Sequence, residues 1–358
     1  MENQFFNSDE KISLRFENTT EKDMIKNFMH GPPNVQLYTE IMTDEFNFFH
    51  FGCWNRDGCM DQSYLQKVVD ALNGFNLSFG VIAGDNVYYR KIEKDGEIHK
   101  FYDRTILDKG IECLERLDIP LFACLGNHDV EKCNITEDEV SRTQIYIKNA
   151  ELHINLSNSK WILPHNYYDL IIKTPTKRIH FIFIETNLFT MDKDCYDEKK
   201  ERLKEMLLWV EKTLKTPSDE IFIVGHVFLF GFKKKGDRDI YVELPGIEKL
   251  LNILKKSKRK HFKYLCADIH NFQHIIFRGE GEYADLIIDN ITAGVGGGSP
   301  DDLPINDHID VELIMDDITI GNLNLTAKDN PYGFVLYQFN SGGLEVEYRK
   351  VIDKTEFI

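Results

Sequence analysis

Short apolar runs alternate with amphipathic stretches through most of the chain, and several of the runs stop abruptly at a glycine. The run 46–51 ends at Gly52, 79–83 at Gly84, 120–125 at Gly126 and 221–224 at Gly225. Short apolar runs bounded by turn residues predict buried strands. Between them the spacing predicts helices. Tyr64, Leu65, Val68, Val69 and Leu72 share one helical face behind a cap at Asp61, and a second helix spans 101–117. Strand, helix, strand, helix, strand in that order implies parallel strands joined by right-handed crossovers.

Further along, 137–150 reads as a polar helix, and strands at 167–172 and 179–185 flank a hairpin turn at Thr174-Pro175-Thr176-Lys177. Leu203, Met206, Leu207, Val210 and Leu214 mark one helix, Ile247, Leu250, Leu251 and Leu254 another, and 262–266 a strand. From 272 onward strands dominate, at 275–277, 286–291, 311–315, 334–339 and 344–348, the last two around a turn at Asn340-Ser341-Gly342-Gly343. Residues 1–44 are polar, with apolar positions too sparse for a domain, and read as an N-terminal extension wrapped on the core. Residues 45–358 read as one α/β domain, two β-sheets packed together with helices outside.

Five of the predicted strand ends carry polar side chains: Cys53, Asp85 with Tyr88, Asn127 with His128, His226, and Asp268 with His270. A glycine lets the chain turn sharply at the strand end, and in an open α/β sheet that carboxyl edge is where sites are built. One such residue alone would be a turn former or a satisfied loop histidine. Five together predict a shared hydrolytic metal centre with hard oxygen and nitrogen donors. His50 and His274 lie inside strands and read as packing residues. The glycines of 294–298 let backbone approach the site, with no following helix to make a phosphate cradle.

Charge narrows the partners. The formal balance of 43 basic and 59 acidic residues is −16, which disfavours nucleic acid and anionic membrane surfaces. The seven cysteines are scattered without a CxxC pair and read as reduced, and no run is long enough to span a bilayer. With no signal pattern at the N-terminus, the expectation is a soluble cytoplasmic protein.

The motif order resembles that of the calcineurin-like metallophosphoesterases, specifically the purple acid phosphatase branch of the tartrate-resistant type. Gly84-Asp85-Asn86-Val87-Tyr88 is similar to Gly-Asp-Asn-x-Tyr, Gly126-Asn127-His128-Asp129 to Gly-Asn-His-Asp, and Gly225-His226 to Gly-His. Trp161 to Tyr168 resembles a Trp-x-x-Pro-x-x-(Tyr/Phe)-Tyr stretch, and the likeness covers 46–351. It implies a four-layer αββα sandwich of two mixed sheets flanked by helices. Two metal ions are implied, iron with zinc, iron or manganese, acting on a small phosphomonoester or phosphoprotein through hydroxide attack. Asp85 would bridge the ions, with Tyr88 and His270 on the first and Asn127 and His226 on the second. His128 would contact phosphate and assist the leaving group, oriented by Asp129.

Two ligand positions depart from the pattern. Gly-Asp-Trp-Gly reads here Gly52-Cys53-Trp54-Asn55, and Gly-His-Asp-His-Asn reads Ala267-Asp268-Ile269-His270-Asn271. Cys53 is either a thiolate ligand, which changes the preferred metal, or a small buried cysteine that no longer ligates. Asp268 can still coordinate, or it is an exposed loop acid. Lys235 takes the place of a second active-site histidine and either meets phosphate or belongs to a solvated lysine run. The expectation is an acid phosphatase-like hydrolase with a remodelled centre. The alternative is a weak or inactive scaffold serving as a structural or protein-binding module.

Overall fold

The computed structural model describes residues 2–7, 10–15, 36–56, 63–88, 90–94, 96–101, 104–130, 160–189, 196–297, 300–315, 317–329 and 332–352. The helix expected at 137–150 lies outside them. The apolar runs pair in two large mixed sheets, the sandwich of the expected fold class. In the six-stranded sheet, Phe46–Phe51, Phe79–Ile82, Leu121–Ala123 and Trp161–Ile162 run parallel side by side. The C-terminal hairpin of Tyr332–Asn340 and Gly343–Ile352 extends this sheet antiparallel to Phe46–Phe51. In the nine-stranded sheet the parallel centre is Arg178–Phe183, Glu220–Val224, His261–Cys266 and Ile287–Ala293.

These central strands are apolar on both faces because both faces are covered, as parallel sheets require. Between the sheets, Phe48 meets Phe181 and Phe222 edge-on at centroid distances of 5.3 and 5.5 Å. On the outside of the six-stranded sheet lie Tyr64–Leu72 and Arg104–Glu115, and outside the nine-stranded sheet lie Tyr196–Thr213 and Ile247–Leu254. Ser63 caps the first helix, its hydroxyl accepting from Gln66 N at 3.2 Å; Asp61, the expected cap, lies outside the described residues.

Three features differ from the sequence reading. The segment read as an extension supplies an edge strand, Gln36–Glu40, parallel to Tyr168–Lys173. Hairpins at Arg90–Phe101 and Phe230–Glu243 stand apart from the main sheets. Cys113 is disulfide-bonded, against the expectation of reduced thiols, because sequence scatter does not report which thiols meet in space. Cys53, Cys124 and Cys266 are free and buried. No helix among the described residues is long and apolar enough to cross a membrane.

The topology sets carboxyl ends of both sheets at one shared edge. Gly52 N donates to Ala293 O, Cys53 N to Gly84 O and Ala267 N to His226 O, at 2.9, 3.1 and 2.9 Å. The loops that carry the polar residues are therefore stitched to one another across the two sheets.

Candidate metal centre

The two glycine loops are packed so closely that side chains are excluded. Gly84 sits at φ +81°, and a Cβ there would stand 2.7 Å from both Gly126 N and the His226 ring. A Cβ on Gly126 would stand 2.2 Å from Asp85 Oδ1. The contact forces Asp85 into place. Among the described residues, five that are not glycine have left-handed backbone, and three of them are Cys53 (φ 52°), Asp85 (φ 55°) and Asp268 (φ 62°). Such conformations persist only where surrounding structure over-determines them, and they gather at functional sites.

Asp85 stands between two groups of donors. Toward one side, Cys53 Sγ lies 3.7 Å from Asp85 Oδ2, and donor atoms of Cys53, Asp85 and His270 all fall within 4.8 Å of one another. Tyr88 adjoins them, its buried hydroxyl next to Cys53 and Asp85. Toward the other side, His226 Nε2 lies 2.9 Å from Asn127 Oδ1, 3.2 Å from Asp85 Oδ1 and 3.7 Å from Asp268 Oδ1. Ligands bonded to one ion at about 2.0–2.3 Å stand about 3–3.5 Å apart, so this convergence fits a cation. His226 Nδ1 donates to Ala83 O at 2.7 Å, which fixes the ring and directs Nε2 toward the other donors.

The electrostatics favour a cation too. Burial pushes the Cys53 thiol and the Tyr88 phenol well up, and the charge of Asp85 adds to both. Burial works against the His226 imidazolium, but the Asp85 and Asp268 carboxylates outweigh it and raise its pKa. A nearby cation would relieve each of these shifts. Among the described residues, Cys53, Asp85 and His270 have donor atoms close enough to share one ion, and Asn127, His226 and Asp268 gather on the other side of Asp85.

Asp129 is buried beside the two glycine loops. Its carboxylate accepts from Asn86 N at 3.0 and 3.2 Å, Asn86 Nδ2 at 2.9 Å, Val87 N at 3.2 Å and Gly126 N at 2.7 Å, and so binds the two loops together. His128 is half-buried, donates its backbone N–H to Asp85 Oδ1 at 3.0 Å, and has its ring 4.4 Å from that of Tyr88. Lys235 is exposed near the turn of the Phe230–Glu243 hairpin, and its side chain makes no hydrogen bond or ion pair with a described residue. His50 is the packing residue expected, its Nε2 2.8 Å from Cys266 O and its pKa lowered by burial to about 3.

Sequence reasoning passed over a sixth strand end. Glu185 and Asn187 follow Arg178–Phe183, and Asn187 Nδ2 donates to Gly126 O at 3.1 Å and to Glu185 Oε1 at 2.6 Å. Polar residues after an apolar run were the available signal. Asp301 was missed as well, since it acts from a loop far along the chain: its Oδ2 accepts from His270 N and its N donates to His270 O, both at 3.0 Å.

Glu185 is fully buried, and burial raises its pKa from 4.5 to about 7 against the pull of the Asn187 bonds. An acid with a raised folded pKa keeps its proton in the folded state after the unfolded chain has released it. Stability is then full below pH 4.5 and falls as pH rises toward 7. Glu185→Gln is expected to leave the melting temperature at pH 4.5 unchanged and to add up to about 3 kcal/mol above pH 7. Thermal unfolding across that range measures it.

The chain belongs to the calcineurin-like phosphoesterase family, whose model matches residues 46–272. Among solved structures it is similar to GAP50, described as the anchor in the inner membrane complex of Plasmodium. That likeness has 16% identity and a TM-score of 0.53, covering 86% of this chain and 87% of that one. It is also similar to PhoD, at 10% identity and a TM-score of 0.53, covering 88% and 72%. At these identities the likeness shows the fold. No curated protein sequence matches the chain.

Proposed function

We propose that this protein is a metal-dependent phosphomonoesterase, of the purple acid phosphatase-like branch, with a remodelled two-ion centre. One observation carries the reading: Asp85 faces a donor set on each side, and the altered positions Cys53 and Asp268 still present donor atoms on left-handed backbone. Tyr88, beside Asp85 and Cys53, supports the branch. The ions would supply Lewis acidity toward phosphate oxygens and acidify a water.

The chain supplies the rest. His128, half-buried and anchored by its backbone on Asp85, would give a proton to the departing alcohol. Asn127 and His226 hold the far side of the centre, and Asp129 keeps the two loops in register. The departures at Cys53 and Asp268 support a second reading, a scaffold acting as an interaction module; the anchor role stated for GAP50 is of that kind.

Hydrolysis of an aryl phosphate by protein loaded with zinc, manganese or iron separates the two. The phosphatase reading expects metal-dependent turnover, lost with a chelator and lowered by about 10²–10⁴-fold in His128→Ala with metal content unchanged. Full metal content without turnover under every loading would favour the scaffold.

A further inference from the structure

Among the described residues the free cysteines Cys53, Cys124 and Cys266 are all buried, yet they lie in different surroundings. Cys124 belongs to the core between the sheets, and Cys266 to the core beneath the outer helices. Cys53 belongs to neither; its apolar neighbours are the small side chains of Ala83 and Ala267, in a cluster of their own. Its backbone is left-handed, a conformation uncommon for residues other than glycine, asparagine, aspartate and histidine. A cysteine that merely filled space would not need that backbone. The turn aims Sγ at Asp85 and His270, next to the Tyr88 hydroxyl. Across Asp85, the other donor set holds one imidazole nitrogen and otherwise oxygen, from Asn127, Asp85 and Asp268.

From this asymmetry we infer that Cys53 makes the two halves of the centre chemically unequal. The Cys53 side takes a thiophilic, zinc-type ion through a sulfur–metal bond, and the Asn127 side takes an oxygen-preferring ion of the manganese or iron type. The inference rests on the two-ion reading above and goes beyond it. Thiolate selects zinc over manganese and magnesium, whereas carboxylate and amide oxygens discriminate little among them. As the sulfur–metal bond forms, the S–H bond breaks and its proton passes to solvent, so loading of this side releases a proton. No electron transfer is involved. The centre is thereby tied to zinc supply on one side and to thiol chemistry, which an aspartate in the same place would not confer.

Cobalt(II) tests it, because thiolate ligation gives an intense near-ultraviolet charge-transfer band that oxygen and nitrogen ligands do not. Full-length protein stripped with a chelator is titrated with cobalt, and the band is expected to saturate at one equivalent per chain. It should survive in His226→Ala, vanish in Cys53→Ser, and be displaced by zinc far more readily than by manganese. Cys53→Asp, which retains a ligand should the serine variant fold poorly, is expected to bind cobalt without the band. It should also narrow the zinc-over-manganese preference by about tenfold or more. Cobalt bound to wild type without the band, a band that persists in Cys53→Ser, or equal displacement by zinc and manganese would each overturn the inference. The two-ion reading would then stand as long as two equivalents still bind; no binding of any metal would remove both.

Discussion

Asp85→Asn is expected to lower kcat/KM for an aryl phosphate by about 10³-fold or more and to strip metal from both halves of the centre. The carboxylate presents Oδ2 to the Cys53 side and Oδ1 to the His226 side, so it is the one group that both ions would share. Asparagine tolerates the left-handed backbone that position 85 requires, and its amide oxygen can still accept from His128 N. The loop should therefore keep its shape while losing the negative charge between two cations. Ions at such a centre contribute several kcal/mol to the transition state, and each 1.36 kcal/mol is about tenfold in rate. Steady-state rates, metal content and thermal unfolding on one preparation separate a lost centre from a lost fold. A variant with wild-type rate would remove Asp85 from its bridging role.

The second large effect is on stability. Asp129→Ala is expected to cost about 3–5 kcal/mol, since it leaves the N–H groups of Asn86, Val87 and Gly126 buried without their acceptor, each worth about 1–3 kcal/mol. Against a total of about 5–15 kcal/mol for a typical domain, that is a large fraction. Because the two loops are held to each other through this carboxylate, metal affinity should fall along with the unfolding midpoint. Asp129→Asn keeps one acceptor oxygen and should fall between alanine and wild type. Urea unfolding at neutral pH measures the series. An Asp129→Ala midpoint within about 1 kcal/mol of wild type would show that the loops hold without it.

Much of the architecture was legible because the central strands are short apolar runs closed by glycine, a pattern set by burial on both faces. The candidate donor positions follow the same pattern, lying two to six residues past an observed strand end. What escaped depends on distance or on weak local signal. The strand Ile318–Asp329 carries Gly321, Asn322 and Asn324, residues of low strand propensity, and it was missed. Gln36–Glu40 has no sheet character until Tyr168–Lys173 is beside it. The bonds of Asp129 to Asn86 and Val87 join residues more than forty positions apart. The disulfide at Cys113 is of the same kind, a contact that spacing does not announce. At Cys53 the sequence leaves ligand and filler equally open; the left-handed backbone and the separation from both cores support the ligand reading proposed above.

Anomalous scattering from crystals grown with zinc and manganese tests the central claim most directly. Two peaks flanking Asp85, about 3.5–4 Å apart, are predicted. One should lie against Cys53 and His270, the other against Asn127 and His226. A single peak, or density distant from Asp85, would contradict the account.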